Sequence, residues 1–184
     1  MMSPDDILKE EVSADSPLWP VLLNHSRAVA FKAICLARKT PFWHELDLEF
    51  IWEAGMLHDI GVVRTHAPKI YCTGEKPYIT HGVEGAKILL EHHLSRHARV
   101  ALTHVGAGLV AEDIQKNNWP MPPEDMIPQS KEEILVSVAD KFFSKSQNLR
   151  QEESMTEIRK ELDGYGPAAR ERFEGYLQTL GLAL

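Results

Sequence analysis

Apolar residues recur at steps of three and four along most of the chain, the spacing that places them on one face of an α-helix. Ser3 and Asp47 are typical helix-capping residues, and Ser130 begins a capping-box pattern. Helices are therefore predicted after Ser3 and over 18–39, 48–57, 83–90, 98–105, 110–117, 134–144, 152–162 and 167–180. The alternation typical of paired strands is not found, so the predicted fold class is all-α.

The segment 62–80 breaks this helical pattern. It contains Pro68, Gly74 and Pro77 among aromatic and polar residues, and it is predicted to be a loop or a broken helix. Such a segment can form a pocket wall or a lid, or it can be a plain structural loop. The remaining helices follow one another through short turns, so the sequence predicts one compact domain with a C-terminal helical extension.

Composition and charge exclude several classes of protein. Hydrophobic residues make up 43% of the 184 residues, enough for a core, and 20 Lys and Arg against 27 Asp and Glu give a net charge of −7. An acidic chain lacks the positive surface with which proteins bind long nucleic acids. The two cysteines are too few for a disulfide framework. With neither a signal peptide nor an apolar run long enough for a membrane span, the protein is predicted to be cytoplasmic.

Six polar residues stand on the inner faces or at the ends of these predicted helices. They are His25, His58, Asp59, His81, His104 and Asp140. Each of them alone is explained as a buried, hydrogen-bonded residue or as a helix cap. Together they need many partners, and one divalent cation can supply a partner for several of them. Imidazole and carboxylate ligands suit Mn, Fe, Co, Ni or Zn.

The order of these residues resembles the HD superfamily of metal-dependent phosphohydrolases, whose motif is a histidine, a His-Asp pair and a distant aspartate. The pair stands in an HDIG string at 58–61, and the resemblance covers about residues 18–147. Three further blocks are similar to those of the small HDIG hydrolases of bacteria and archaea. These blocks are His81 to Ala86, Thr103 to Gly108, and Ala139 with Asp140.

This resemblance implies an HD-domain bundle of about five core helices, in a single domain over residues 1–184 with a C-terminal helical extension at about 150–182. It implies that a first divalent metal is bound by His25, His58, Asp59 and Asp140. His81 and His104 occupy the places of two histidines that hold a second metal in some relatives, with the aspartate of the pair as the bridge. A site with one ion and a site with two ions both stay open.

The activity implied by the resemblance is hydrolysis of a phosphoester or phosphoanhydride in a small metabolite or nucleotide, by metal-activated water next to Asp59. Three basic residues near the motifs are candidates for binding the phosphate: Lys141, Arg64 and Lys69. Arg64 is preferred to Lys69 because it lies three residues past Gly61. Each of these side chains is also explained as a solvated surface residue.

Two other function classes stay open. The first is a catalytically quiet HD module that binds a metal or a ligand, and the second is a hydratase or oxygenase that acts on a substrate without phosphate. A complete ligand set favours an enzyme. The predicted partner is a small phosphorylated substrate. Neither a long nucleic acid nor a membrane is expected as a partner, and a homodimer stays open as the alternative to a monomer. His93 and His97, four residues apart, are predicted to lie on an exposed helix face.

Overall fold

The computed structural model describes residues 2–145 and 152–183. Within these ranges the helices are α1 (Pro4–Glu11), α2 (Leu18–Ala37), α3 (Leu48–Leu57), α4 (His81–Glu91), α5 (Ser95–Thr103), α6 (Ala111–Lys116), α7 (Lys131–Asp140), α8 (Met155–Leu162) and α9 (Pro167–Leu180). The predicted all-α class is confirmed. The predicted boundary between the core and the C-terminal extension, at 147–150, lies outside the described residues.

The predicted caps begin their helices as expected. The side chains of Ser3, Asp47 and Ser130 each accept a hydrogen bond from the backbone N–H group three residues further on. At Ser130 the return bond of a capping box is replaced, because the Glu133 carboxylate accepts from the N–H group of Gln129 instead. The helix that follows ends at Asp140, four residues before the predicted end at 144.

The segment 62–80 differs from the prediction by containing a small sheet. Strands β1 (Thr65–Ala67), β2 (Cys72–Thr73) and β3 (Lys76–Pro77) pair in the order β2-β1-β3. β1 runs antiparallel to β2 and parallel to β3. Strands of two or three residues are too short to show the alternation by which a sequence reveals a strand, so this sheet had no detectable signal.

Among the described residues three hydrophobic clusters fill the interior, and α2 and α3 contribute to the two larger ones. The first cluster joins these helices to α7, α8 and α9, so that Ile158 and Phe173 of the C-terminal helices pack with Val29 and Leu135. The second cluster joins α2 and α3 to α1, α4 and α5. The C-terminal helices therefore share a core with the helices that carry the candidate metal ligands.

Within the described ranges, no helix has the length and apolar character that crossing a bilayer requires.

Candidate metal centre

The structure brings the six residues of the predicted set together at the centre of the bundle. His25 comes from the middle of α2, His58 and Asp59 follow α3, and Asp140 is the last residue of α7. His81 is the first residue of α4, and His104 follows directly after α5. None of the six is more than 5% exposed. Five helices thus supply or adjoin the donors of one buried cluster.

The histidines at helix ends share a common way of being oriented. The Nδ1 atoms of His58, His81 and His104 lie 2.8, 2.7 and 2.8 Å from the backbone oxygen atoms of Gly55, Tyr78 and Ala101, each three residues earlier. In these bonds Nδ1–H donates to a carbonyl, which turns Nε2 toward the cluster and, in the neutral imidazole, leaves it without a proton. This backbone support is the usual way in which proteins fix the tautomer of a metal-binding histidine.

Asp59 lies between two groups of donors and faces each with a different oxygen. Its Oδ2 atom is 3.1 Å from Nε2 of His25 and 3.4 Å from Nε2 of His58. Its Oδ1 atom is 3.4 Å from Nε2 of both His81 and His104. A carboxylate in this position can contribute one oxygen atom to each of two cations.

The first group contains His25, His58, Asp59 and Asp140, and the second contains Asp59, His81 and His104; within each group the donor atoms all lie within 4.8 Å of one another. In the first group, Oδ1 of Asp140 is 3.1 Å from Nε2 of His25 and 3.3 Å from Nε2 of His58. In the second group, the two Nε2 atoms are 3.1 Å apart. We use the names first group and second group for these two sets.

The unsatisfied polar atoms of the cluster fit a bound cation. Among the described residues, neither carboxylate oxygen of Asp59 has a hydrogen-bond partner of good geometry, although five nitrogen atoms lie 2.7–3.4 Å away. A buried carboxylate normally has directed hydrogen bonds. Ligand atoms that converge on one point without such hydrogen bonds suit a metal ion. The mixture of imidazole and carboxylate ligands suits a divalent transition metal.

The charges of the cluster favour the metal-binding forms of most of its donors. Burial alone would raise the pKa values of Asp59 and Asp140, but nearby cationic side chains, chiefly Lys145 and Lys141, hold both pKa values well below the ordinary value. Burial lowers the pKa of His81 to about 3 and also lowers the pKa of His104. Near neutral pH the two acids are therefore ionised and these two imidazoles are neutral, as metal ligation requires.

His58 is the exception to this pattern. Burial opposes its protonated form, but the carboxylates of Asp59 and Asp140 outweigh burial and raise its pKa to about 9. A proton on His58 therefore supplies part of the positive charge that the first group attracts. A metal ion that binds there must displace this proton.

The glycines of two sequence motifs meet where the elements behind the cluster approach most closely. A Cβ atom on Gly61, the last residue of the HDIG string, would lie 2.1 Å from the backbone oxygen of His81 and 2.2 Å from the backbone nitrogen of Gly85. Backbone atoms cannot move aside as a flexible side chain can, so a larger residue would push α4 away. The glycine thus sets the distance between Asp59 and His81.

A cavity of about 270 Å³ opens beside the second group. Its wall includes His81, His104 and Asp140, the two tyrosines Tyr78 and Tyr165, and three lysines: Lys69, Lys141 and Lys145. Ala67 and Ile70 also line it, so the segment 62–80 contributes to the pocket wall rather than forming only a structural loop.

The structure separates the basic residues that the sequence suggested for phosphate binding. Lys141 lines the cavity, with its Nζ atom 3.1 Å from Oδ2 of Asp140. Lys69, the less favoured candidate, also lines it. Arg64 does not line it, and its guanidinium lies 3.2 Å from a carboxylate oxygen of Glu91 and 3.8 Å from one of Glu84. The position of Arg64 along the chain could not reveal these two acids, and its role in phosphate binding stays a prediction.

Sequence reasoning missed Lys145 and misplaced His97. The Nζ atom of Lys145 lies 2.7 Å from Oδ2 of Asp59, although no motif or helical pattern marks this lysine. His97 is buried rather than exposed, and its Nε2 atom lies 3.2 Å from a carboxylate oxygen of Glu53. An acid 44 positions away along the chain is not a signal that helical periodicity contains.

Comparison with known proteins agrees with this geometry. A sequence profile of the HD domain matches residues 22–144. An uncharacterized protein of Methanocaldococcus jannaschii is 31% identical over 152 residues, which are 81% of this chain and 82% of that protein. A tRNA (cytidine(56)-2'-O)-methyltransferase of Thermoplasma volcanium is 29% identical over 140 residues, which are 76% of this chain but only 36% of the relative. The chain thus spans about a third of the length of this methyltransferase.

Solved structures with the same fold are also found. The HD domain of the L. monocytogenes phosphodiesterase PgpH has a TM-score of 0.55 and 20% identity, with 93% of this chain and 86% of that chain covered. The same domain in complex with cyclic-di-AMP has a TM-score of 0.53 and 19% identity, with 94% and 93% covered. At this level of identity the likeness concerns the fold.

Proposed function

The chain belongs to the HD-domain family, and on that premise we propose that it is a metal-dependent hydrolase that cleaves a phosphoester or phosphoanhydride bond in a small metabolite or nucleotide. The observation that carries this proposal is the position of Asp59, whose two oxygens face two groups of histidines beside a cavity. A buried cluster of this composition is expensive to maintain unless it binds something.

The residues of the chain divide into two ligand sets in this proposal. The first group, His25, His58, Asp59 and Asp140, holds one divalent transition metal, and the second group, Asp59, His81 and His104, holds another. A divalent cation bound by such donors supplies a Lewis acid that lowers the pKa of water and stabilises charge on phosphoryl oxygens. Asp59 acts as the catalytic residue because it is shared by the two sets.

The side chains around the cavity bind and orient the substrate in this proposal. Lys141 is buried beside Asp140, and its ammonium group borders the space where a phosphate would enter. A buried ammonium group attracts an anionic substrate more strongly than it would in water. Tyr78 and Tyr165 line the same space.

The test combines metal analysis with a substrate panel. We expect the purified protein to contain a transition metal and, with Mn, Fe, Co, Ni or Zn supplied in turn, to hydrolyse at least one phosphomonoester, nucleotide or cyclic dinucleotide. The products are separated by chromatography, because a monoester gives inorganic phosphate whereas a cyclic dinucleotide gives a linear dinucleotide. Cyclic-di-AMP belongs in the panel because the HD domain of PgpH is known in complex with it. If folded, metal-loaded protein hydrolyses none of these substrates with any of the metals, the module that only binds is favoured.

Asp59→Asn sharpens this test because it keeps the size of the side chain and removes the charge that both groups share. We expect it to lower the metal content to a small fraction of the wild-type value and to lower turnover by at least about a thousandfold. Asp113→Asn is the matched control, since Asp113 is a buried acid of α6 outside both groups. Equal metal content in wild type and Asp59→Asn would contradict the ligand assignment.

A further inference from the structure

Lys145 reaches the centre of the cluster from beyond the end of α7. Its Nζ atom lies 2.7 Å from Oδ2 of Asp59, and the two side chains are 14% and 0% exposed. The residue stands five positions after Asp140, in the non-helical segment that follows α7. A lysine at this place loses most of its hydration, which costs free energy. The charges around it must compensate this cost for the contact with a buried carboxylate to form.

The oxygen atom that Lys145 contacts is the one that belongs to the first group. Oδ2 of Asp59 is the oxygen nearest to His25, at 3.1 Å, and it lies 3.4 Å from His58. A metal ion in the first group would use the same atom. An ammonium group and a divalent cation on one oxygen repel each other strongly where water is scarce, so the two compete for it.

Lys141, another lysine of the cavity, contacts its carboxylate in a different way. The Nζ atom of Lys141 lies 3.1 Å from Oδ2 of Asp140, whereas the imidazoles of the first group face Oδ1 of that residue. Lys141 also lies 3.4 Å from a carboxylate oxygen of Glu161. It therefore contacts the outer oxygen of a ligand and shares its charge with a second acid, so it does not compete for a metal-binding atom.

The cavity offers the side chain of Lys145 a second position away from Asp59. It lines the cavity together with Lys141, and its Nζ atom is 5.8 Å from the centre of the Tyr78 ring. The four-carbon stem of lysine is flexible, so a rotation of the side chain can carry the ammonium group from Asp59 into the cavity. There it would meet the anionic part of a substrate.

We propose that Lys145 is the resident counter-cation of Asp59 in the metal-free protein, that it competes with the metal for Oδ2, and that it binds a phosphoryl oxygen of the substrate once the metal has displaced it. This inference rests on the proposed function, because it assumes that Asp59 is a metal ligand and that the substrate carries a phosphate. It assigns to one lysine two effects of opposite sign: it weakens metal binding and strengthens substrate binding. An ion pair that only orders the site would strengthen both.

The experiment measures metal affinity directly, by titrating metal-free protein with Mn or Co in competition with a chromophoric chelator. Removing the ammonium group in Lys145→Met should lower the Kd for the metal by about tenfold, since a competing unit charge is removed from the ligand atom. Lys145→Arg keeps the charge and should stay within about threefold of the wild type. Lys141→Met is the matched control and should not tighten metal binding.

Two further measurements complete the test. Without metal, Lys145→Met should unfold at a lower temperature than wild type, because the charge of Asp59 loses its counter-cation. With saturating metal, its KM for a hydrolysed phosphomonoester should rise several-fold, while the KM for a neutral phosphotriester analogue changes little. If Lys145→Met does not fold, Lys145→Gln takes its place in all three measurements.

The outcomes separate this proposal from the proposed function. Metal binding by Lys145→Met that is equal to or weaker than wild type, in protein shown to be folded, overturns the role of Lys145 and leaves the hydrolase proposal intact. Metal binding by Lys145→Met but not by wild type supports the competition in its strongest form. If neither protein binds metal at millimolar concentration, both proposals are rejected together.

Discussion

The two groups of donors around Asp59 differ in how they meet the solvent. His25 and His58 of the first group are 0% exposed and, among the described residues, do not line the cavity, which only Asp140 of that group reaches. Both histidines of the second group line the cavity. The first group thus encloses its site with protein, whereas the second leaves one side open toward a substrate.

The two groups also differ in charge. The first group places two carboxylates around its imidazoles, and these carboxylates raise the pKa of His58 to about 9. The second group shares only the carboxylate of Asp59, so burial dominates and the pKa of His81 falls to about 3. The first group therefore attracts positive charge strongly, and the second is a neutral imidazole pair that depends on its neighbour for charge. From this difference we expect the first site to bind metal more tightly.

The supports behind the groups differ as well. The ligands of the first group lie on or directly after α2, α3 and α7, which pack together in the first hydrophobic cluster. His104 of the second group is followed by a turn in which Gly106, Ala107 and Gly108 all have positive φ. A backbone of this kind is held by its surroundings rather than by its own preference, most clearly at Ala107. The second group is therefore the more easily disturbed.

The largest expected effect comes from breaking the first group. His25→Ala removes the imidazole that contacts the carboxylates of both Asp59 and Asp140. We expect loss of the tightly bound metal and a fall of about 3 kcal/mol or more in the free energy of unfolding, because two buried charges lose a partner. Urea unfolding with and without chelator measures this. If chelator still destabilises the variant as much as wild type, the first group is not the tight site.

The comparison also shows what the sequence could predict. His58, His81 and His104 stand where a helical pattern stops or starts, and they follow one another in the order of the HD family's motif, so the residues that meet in the cluster could be named without a structure. The all-α class followed from periodicity in the same way. These features are local in the sequence or belong to a motif whose blocks occur in a fixed order.

The features that escaped prediction depend on side chains meeting across the fold. Lys145 reaches Asp59 from a segment 86 positions further along, which only the packing of α7 against α3 brings near it. Arg64 turns to Glu91, 27 positions away, rather than to the cavity. The strands of the segment 62–80 are too short to show the alternation of apolar and polar residues that predicts a strand. Periodicity predicts where helices lie, but it does not predict which charged side chains will contact each other in the fold.

A smaller effect is expected from breaking the second group. His104→Ala removes one of its two imidazoles but leaves the donors of the first group in place. We expect one metal ion per chain to be lost while the tight one stays, with turnover lowered by at least about a hundredfold because the open site meets the substrate. Metal analysis after gel filtration gives the stoichiometry. His97→Ala is the control, a buried histidine outside both groups. Identical stoichiometry in wild type and His104→Ala would argue for a single metal.

The smallest expected effect acts on the second group from a distance, through the turn behind His104. The hydroxyl of Tyr176 donates to the carbonyl of Ala107 at 3.1 Å, and Arg172 donates to the carbonyl of Gly108 at 2.8 Å. The ring of Tyr165 covers Gly106, where an added Cβ atom would lie 2.6 Å from it. The C-terminal helix α9 and the turn before it therefore hold this turn in its positive-φ conformation.

Tyr176→Phe removes one bond of this support and keeps the ring. We expect a loss of about 1 kcal/mol in the free energy of unfolding, the usual value of a single buried hydrogen bond. We also expect metal binding at the second group to weaken by a few-fold while the first group is unchanged, since only His104 is attached to the turn. Thr179→Val is the matched control, because this hydroxyl of the same helix donates to the carbonyl of Gly175 on the exposed side. A two-step metal titration distinguishes the groups: weakening of both steps in Tyr176→Phe would mean that α9 stabilises the bundle as a whole and does not position His104.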